Sequence, residues 1–142
     1  MDLLGNDPVL SLNDDAWRIY SRPTASAPQH IGADARVQNS VITEGSEIFG
    51  TVRNSVLGAG VYVGEGAVVE DSVIMSGTVI KDGARVSYSI LDENVTVGQK
   101  SIIGKCNEEG QIAVIGRDSI LADGTNVAQG EIIDKYTVKE GK

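Results

Sequence analysis

From Ile31 onward the chain sets aliphatic residues six positions apart, with Gly, Asp or Glu among the residues between them: Ile31 and Val37, Val63 and Val69, Ile80 and Val86, Val97 and Ile103. Six is neither a helical period nor the spacing of a hairpin. A longer period overlies it. Asn39-Ser40-Val41-Ile42, Asn54-Ser55-Val56-Leu57, Asp71-Ser72-Val73-Ile74, Tyr88-Ser89-Ile90-Leu91 and Asp118-Ser119-Ile120-Leu121 are five copies of one tetrapeptide, at spacings of 15, 17, 17 and 30 residues. Where the repeat is cleanest, Leu57, Ile74 and Leu91 correspond, as do Val63, Ile80 and Val97, and Val69, Val86 and Ile103. A unit of 17 residues therefore carries three short faces, which describes a triangular coil repeated along the chain.

Alternate side chains of an extended segment point the same way, so each face buries one aliphatic residue and a smaller one four positions later. Ser46, Val61, Ala67, Thr78, Ala84, Val95, Ser101 and Thr125 supply that second set. Between faces the chain has to turn sharply, and Gly45, Gly60, Gly66, Gly77, Gly83, Gly124 and Gly130 recur where a positive φ is needed, with Asn94 at one equivalent corner. The pattern predicts an all-β, single-stranded parallel β-helix of about five to six coils over residues 31–142. Its core ladder is Leu57, Val63, Val69, Ile74, Ile80, Val86, Leu91, Val97 and Ile103. The polar stretch Cys106-Asn107-Glu108-Glu109-Gly110-Gln111 breaks the period and reads as a loop ejected from a corner, with coiling resumed at about Ile115.

Composition agrees with a narrow interior. Only six of 142 residues are aromatic, so the core is built from aliphatics. Sixteen of the 17 glycines lie from Gly32 onward, whereas all three prolines and the single tryptophan lie at or before Pro28. Residues 1–30 thus form a separate segment, in which Asn13-Asp14-Asp15 suits the start of a short helix. The formal net charge of −8 argues against nucleic acid and anionic membranes as partners. No apolar stretch approaches the ~20 residues of a membrane span, and one cysteine excludes an internal disulfide framework. A cytoplasmic setting is the expectation.

The hexapeptides Ile31-Gly32-Ala33-Asp34-Ala35-Arg36 and Val63-Gly64-Glu65-Gly66-Ala67-Val68 resemble the signature of left-handed parallel β-helices, a fold that serves acyltransferases, γ-class carbonic anhydrases and sugar nucleotidyltransferases. Left-handedness is what the resemblance implies, since parallel crossovers in general prefer the opposite hand. The flanking Met1-Asp2-Leu3-Leu4 and Trp17-Arg18-Ile19-Tyr20-Ser21, followed by a proline-containing approach, resemble the junction between the catalytic domain and the C-terminal β-helix of bacterial glucose-1-phosphate adenylyltransferase. Ser72-Val73-Ile74-Met75-Ser76-Gly77 and Val114-Ile115-Gly116-Arg117-Asp118-Ser119-Ile120-Leu121 are similar to the same family. The resemblance implies a fragment that joins a catalytic domain upstream and carries regulation and oligomerisation. The parent makes ADP-glucose and pyrophosphate from ATP and glucose 1-phosphate for glycogen synthesis, with Mg2+ in its catalytic domain. A homo- or heterotetramer and a phosphorylated metabolite as effector are further implications. A noncatalytic paralogue of the subunit would carry the same signals.

Arg117 falls on a basic position that the resemblance links to effector binding, and a guanidinium suits bidentate phosphate contact. A second basic family position falls on Glu93. The plain alternative for Arg117 is a surface ion pair with Asp118 or Glu108. Trp17, Ile19 and Tyr20 are candidates to cap the open first coil. His30, the only histidine, precedes the first hexapeptide and reads as an exposed linker residue rather than the general base of a hexapeptide acyltransferase, the enzyme alternative. A purely structural solenoid is the third reading. Three zinc-binding histidines are lacking, and no metal site is expected. Cys106 has no second histidine to pair with, and Glu65, Glu70, Asp71, Asp82, Asp92 and Asp123 read as solvated corner residues.

Overall fold

In the first three tetrapeptides each serine has two partners. Its hydroxyl donates to the carbonyl two residues back, at 2.8 Å for Ser40 to Gln38, 2.7 Å for Ser55 to Arg53 and 2.6 Å for Ser72 to Glu70. It also accepts the serine N–H of the next coil, Ser55 on Ser40, Ser72 on Ser55 and Ser89 on Ser72, each at 3.2 Å. Such ladders hold the coils of the computed structural model in register; the structure describes Ala16, residues 25–105 and residues 110–141.

Three parallel sheets form the faces of the solenoid. The first stacks His30–Ile31, Glu47–Ile48, Tyr62–Val63, Val79–Ile80, Thr96–Val97, Ile120–Leu121 and Val138–Lys139. The second stacks Arg36–Gln38, Thr51–Arg53, Val68–Glu70, Arg85–Ser87, Ile102–Ile103 and Asn126–Val127. The third stacks Val41–Ile42, Val56–Leu57, Val73–Ile74, Ser89–Leu91, Ala113–Ile115 and Ile132–Ile133. The described residues thus complete six turns and begin a seventh, and they contain no helix.

Register aligns like with like. Ile48, Val63, Ile80, Val97 and Leu121 stack on the first face, Val52, Val69, Val86, Ile103 and Val127 on the second, and Leu57, Ile74, Leu91, Ile115 and Ile133 on the third. All nine residues of the expected ladder are at most 1 % exposed. Full burial of each such side chain contributes about 1.5–3 kcal/mol before entropy is subtracted. The smaller second set is buried as well, from Ser46 to Thr125, and its hydroxyls are satisfied as the serines are: Thr78 donates to the Asp92 carbonyl at 2.8 Å and accepts from the Val95 N–H at 3.4 Å. Among the described residues, no buried side-chain nitrogen or oxygen lacks a partner.

Two expectations change. The fifth tetrapeptide does not join the other four: Ile120 and Leu121 pair with Thr96 and Val97 on the first face, while Ala113–Ile115 takes the fifth place on the third. Its 30-residue spacing is not a whole number of coils, so identical chemistry turns a different corner. The outermost residues Ile31 and Val37 follow the inward pattern, yet they are 42 % and 41 % exposed, because no coil among the described residues lies beyond them. At the other end, Lys139 takes the ladder position above Leu121, and its ammonium meets Glu131 Oε1 at 2.6 Å. A charged side chain thus takes the last described rung of the aliphatic row.

Candidate functional site

Arg117 stands on the corner that leads from the third face to the first. Gly116 lets the next coil approach closely, since a Cβ there would lie 2.5 Å from the Lys135 nitrogen. The Arg117 carbonyl accepts the Tyr136 N–H at 2.9 Å, and the Asp118 N–H donates to the Glu93 carbonyl at 2.9 Å. The main chain therefore fixes Arg117 between the corner at residues 92–94 and the corner at residues 134–136. Its side chain is half exposed and reaches back one coil, with Nε 3.7 Å from Asp92 Oδ2 and Nη2 3.9 Å from Glu93 Oε2. The expected partner Asp118 instead accepts from Asn94 Nδ2 at 3.3 Å, and Glu108 lies outside the described residues. Stacking at one corner explains the difference, because residues one coil apart are closer than sequence neighbours whose side chains diverge.

Glu93, which occupies a position the resemblance makes basic, is thus with Asp92 one of two counter-ions of Arg117. A cation so placed is neither bare nor locked. Exposed pairs of this kind are worth about 0–1 kcal/mol, so an anion with two or three oxygens can displace them. Lys135, one coil further on at the same corner, is a second cation that the sequence reading did not single out; its Nζ lies 5.8 Å from the centre of the Tyr136 ring. Only the 18-residue offset of the last coils would have linked it to Arg117.

The remaining candidates do not converge. His30 is exposed, as expected, but it belongs to the first strand rather than a linker: its N–H donates to the Ser46 carbonyl at 2.8 Å, and its ring lies 5.7 Å from that of Phe49. The carboxylates serve the corners. Asp82 Oδ1 accepts the Glu65 N–H at 3.0 Å, and Asp123 Oδ1 accepts the Gln99 N–H at 2.7 Å. Glu70 pairs with Arg53. Among the described residues, no three His, Cys, Asp or Glu side chains gather in a way that could hold a metal ion. Trp17, Ile19, Tyr20 and Cys106 lie outside the described residues. No helix among the described residues is long and apolar enough to cross a membrane.

Residues 23–114 match the family described as GlmU-like, C-terminal hexapeptide. Glucose-1-phosphate adenylyltransferase of Acetivibrio thermocellus is 36 % identical over 99 % of this chain and 35 % of its own length. The proteins of that name from Desulfitobacterium hafniense and Bacillus cereus are 37 % and 40 % identical over 96 % and 92 % of the chain. The chain spans about a third of the length of these curated relatives, 35 %, 35 % and 32 %. Among solved structures, a provisionally assigned acetyltransferase from Desulfovibrio desulfuricans G20 superposes with a TM-score of 0.70 at 16 % identity, covering 83 % of this chain and 27 % of that one. The acetyltransferase domain of PglB from Neisseria gonorrhoeae FA1090 gives 0.52 at 22 % identity, covering 76 % and 50 %. These two likenesses show the fold alone.

Proposed function

The chain belongs to the GlmU-like C-terminal hexapeptide family, and from that premise we propose that it is the β-helical regulatory and oligomerisation domain of a cytoplasmic glucose-1-phosphate adenylyltransferase. The observation that carries the reading is the alignment of nearly the whole chain with about a third of the length of enzymes of that name. In the parent, ATP and glucose 1-phosphate would give ADP-glucose and pyrophosphate. Substrates and Mg2+ would be held by a catalytic domain joined through residues 1–30. The described residues offer no donor set for the metal, and no catalytic step is assigned to them.

Regulation is assigned to Arg117, where a phosphorylated metabolite would exchange two loose carboxylate contacts for its own oxygens. The test is ADP-glucose formation by the 142-residue chain and by a parent that carries it at its C-terminus. Turnover by the parent and none by the chain is expected. Turnover by the chain alone overturns the noncatalytic assignment, and an inactive parent overturns the adenylyltransferase. Acetyl-CoA binding in calorimetry would revive acyl transfer, which for now rests on shared fold only.

A further inference from the structure

Of the six arginines, Arg18 and Arg22 lie outside the described residues, and three of the other four are exposed on the second face: Arg36, Arg53 and Arg85. In a chain with 20 acidic residues, the strands of that face carry one, Glu70. Arg53 pairs with Glu70, whereas Arg36 has no carboxylate partner among the described residues. The two guanidiniums border a depression of about 660 Å3 over the first two coils, whose lining includes Thr51 and Gln38 and no carboxylate. Register sets Thr51 directly opposite Arg36, and Arg53 directly opposite Gln38. One rung and two residues therefore separate the arginines, about 8 Å between Cα atoms. A second depression, of about 350 Å3, adjoins the first through Arg53 and Gln38 and continues round the corner to Asn39 and Asn54. There Asn39 Nδ2 donates to Asn54 Oδ1 at 3.1 Å, and Asn54 Nδ2 donates to Asp71 Oδ1.

We propose that the two depressions form one binding site for a sugar monophosphate, with its phosphoryl group over Thr51 between Arg36 and Arg53 and its hydroxyls along Gln38 and Asn39. The site lies on the second face of the first two coils, apart from the corner that holds Arg117, and it does not depend on the adenylyltransferase reading. The planar fork of a guanidinium matches phosphoryl oxygens. Arg36 has no carboxylate to give up, and Arg53 spends one of its five N–H donors on Glu70. A hollow free of carboxylates and edged by two cations attracts an anion although the chain carries −8, because the nearby charges set the potential there. Beyond the phosphoryl position the donors give way to the amides of Gln38 and Asn39. Each amide offers both a donor and an acceptor, as a hydroxyl group does. The carboxylates of Glu70 and Asp71 on the far wall repel a second phosphoryl group. The two arginines occupy neighbouring rungs, about 5 Å apart along the axis, which suits one phosphoryl group and not the repeating charge of a nucleic-acid backbone.

The test is an NMR titration of the isotope-labelled 142-residue chain, read at the amides of Thr51, Val52 and Arg53. Glucose 6-phosphate should shift them saturably, inorganic phosphate about tenfold more weakly for want of hydroxyls, and glucose not at all. Arg36→Ala should weaken glucose 6-phosphate binding about tenfold, and Arg36→Lys, which keeps the charge and loses the fork, about threefold. Arg36 is exposed, so both variants should keep the circular dichroism of the parent sequence. Glu70→Gln releases Arg53 and should tighten binding about two- to fivefold. Higher salt should weaken it, as screening requires. No saturable shift at Thr51 and Arg53, or one that survives Arg36→Ala, overturns the site. Equal binding of glucose or of inorganic phosphate, or tighter binding of fructose 1,6-bisphosphate, overturns the sugar monophosphate as its ligand. Shifts at Arg117 and Asp118 report the other anion site separately, and ADP-glucose formation by the parent tests the adenylyltransferase, so each reading can fail without the others.

Discussion

Arg117 and Glu93 are neighbours only because a coil separates them, and that proximity makes the proposed effector site adjustable by one charge. The carboxylate competes with any phosphate for the guanidinium. Glu93→Gln should therefore strengthen the thermal-shift response of the full-length parent to fructose 1,6-bisphosphate, phosphate or AMP, by about two- to fivefold in half-saturating concentration if the exposed pair is worth up to ~1 kcal/mol. Arg117→Ala should abolish the response. An unchanged response in both variants would remove Arg117 from the site. Backbone strain is the other residue-scale lever. The corner row Gly66, Gly83, Lys100 and Gly124 has positive φ throughout, and Lys100 holds it at 56° with its side chain exposed. A lysine in the left-handed region is disfavoured by about 1–2 kcal/mol, and asparagine by less. Lys100→Asn should stabilise the fold by up to about 1 kcal/mol, visible as a rise of a few degrees in melting temperature; a fall would show that Lys100 makes a contact outweighing the strain.

At the scale of the strand and its corner, the aliphatic ladder was legible because its requirement is simple: one inward position per face, filled by Val, Ile or Leu. The glycine corners were legible for the same reason, and all seven expected glycines, with Asn94, have positive φ. The tetrapeptide's first residue was not recognised as another such corner, although Asn39, Asn54, Asp71, Tyr88 and Asp118 all lie there. The Asn and Asp among them carried the signal, and Tyr88 obscured it. The side of the coil taken by Ile120 and Leu121 was not legible, because a local motif cannot say how many residues a preceding loop has consumed. The Arg117 partners were missed likewise, since they depend on inter-coil register rather than spacing. The last coil shows what such a contact does. The Glu131 carboxyl is held below its ordinary value of 4.5, chiefly by the hydrogen bond from Lys139 and then by the Ala128 N–H. A lowered folded-state pKa adds stability that is complete above the unfolded value and is lost as pH falls through the folded one. Acidification through that range should fray Ile132–Ile133 and Val138–Lys139 first, seen as earlier amide exchange there than at Val79–Ile80. Glu131→Gln should remove the pH dependence of that fraying.

Taken whole, the molecule is a one-dimensional stack, and each coil touches only the coils beside it. Stability in such an array is a sum of coil and interface contributions, so the effect of a core lesion depends on its place along the axis. Ile74 lies in the third of six complete turns, is 1 % exposed, and has Leu57 below and Leu91 above. Ile74→Asp would bury a charge with no partner, a burden large enough to consume much of a domain's 5–15 kcal/mol. The coils on either side lose their shared interface, and neither remnant, two coils or three, keeps many buried rungs. Cooperative melting should disappear. Ile133 lies in the last complete turn and is 6 % exposed, with one covered neighbour, Ile115. Ile133→Asp should leave the coils from Glu47 to Leu91 protected from amide exchange while Ile132–Ile133 and Val138–Lys139 open, with a melting temperature a few degrees lower. The pair separates a stack from a conventional globular core. In a globular core, two aspartates buried to similar depth would do similar damage, and protection would fall everywhere at once in both variants. Equal collapse in the two would show that the coils share stability over a longer range than nearest-neighbour stacking allows.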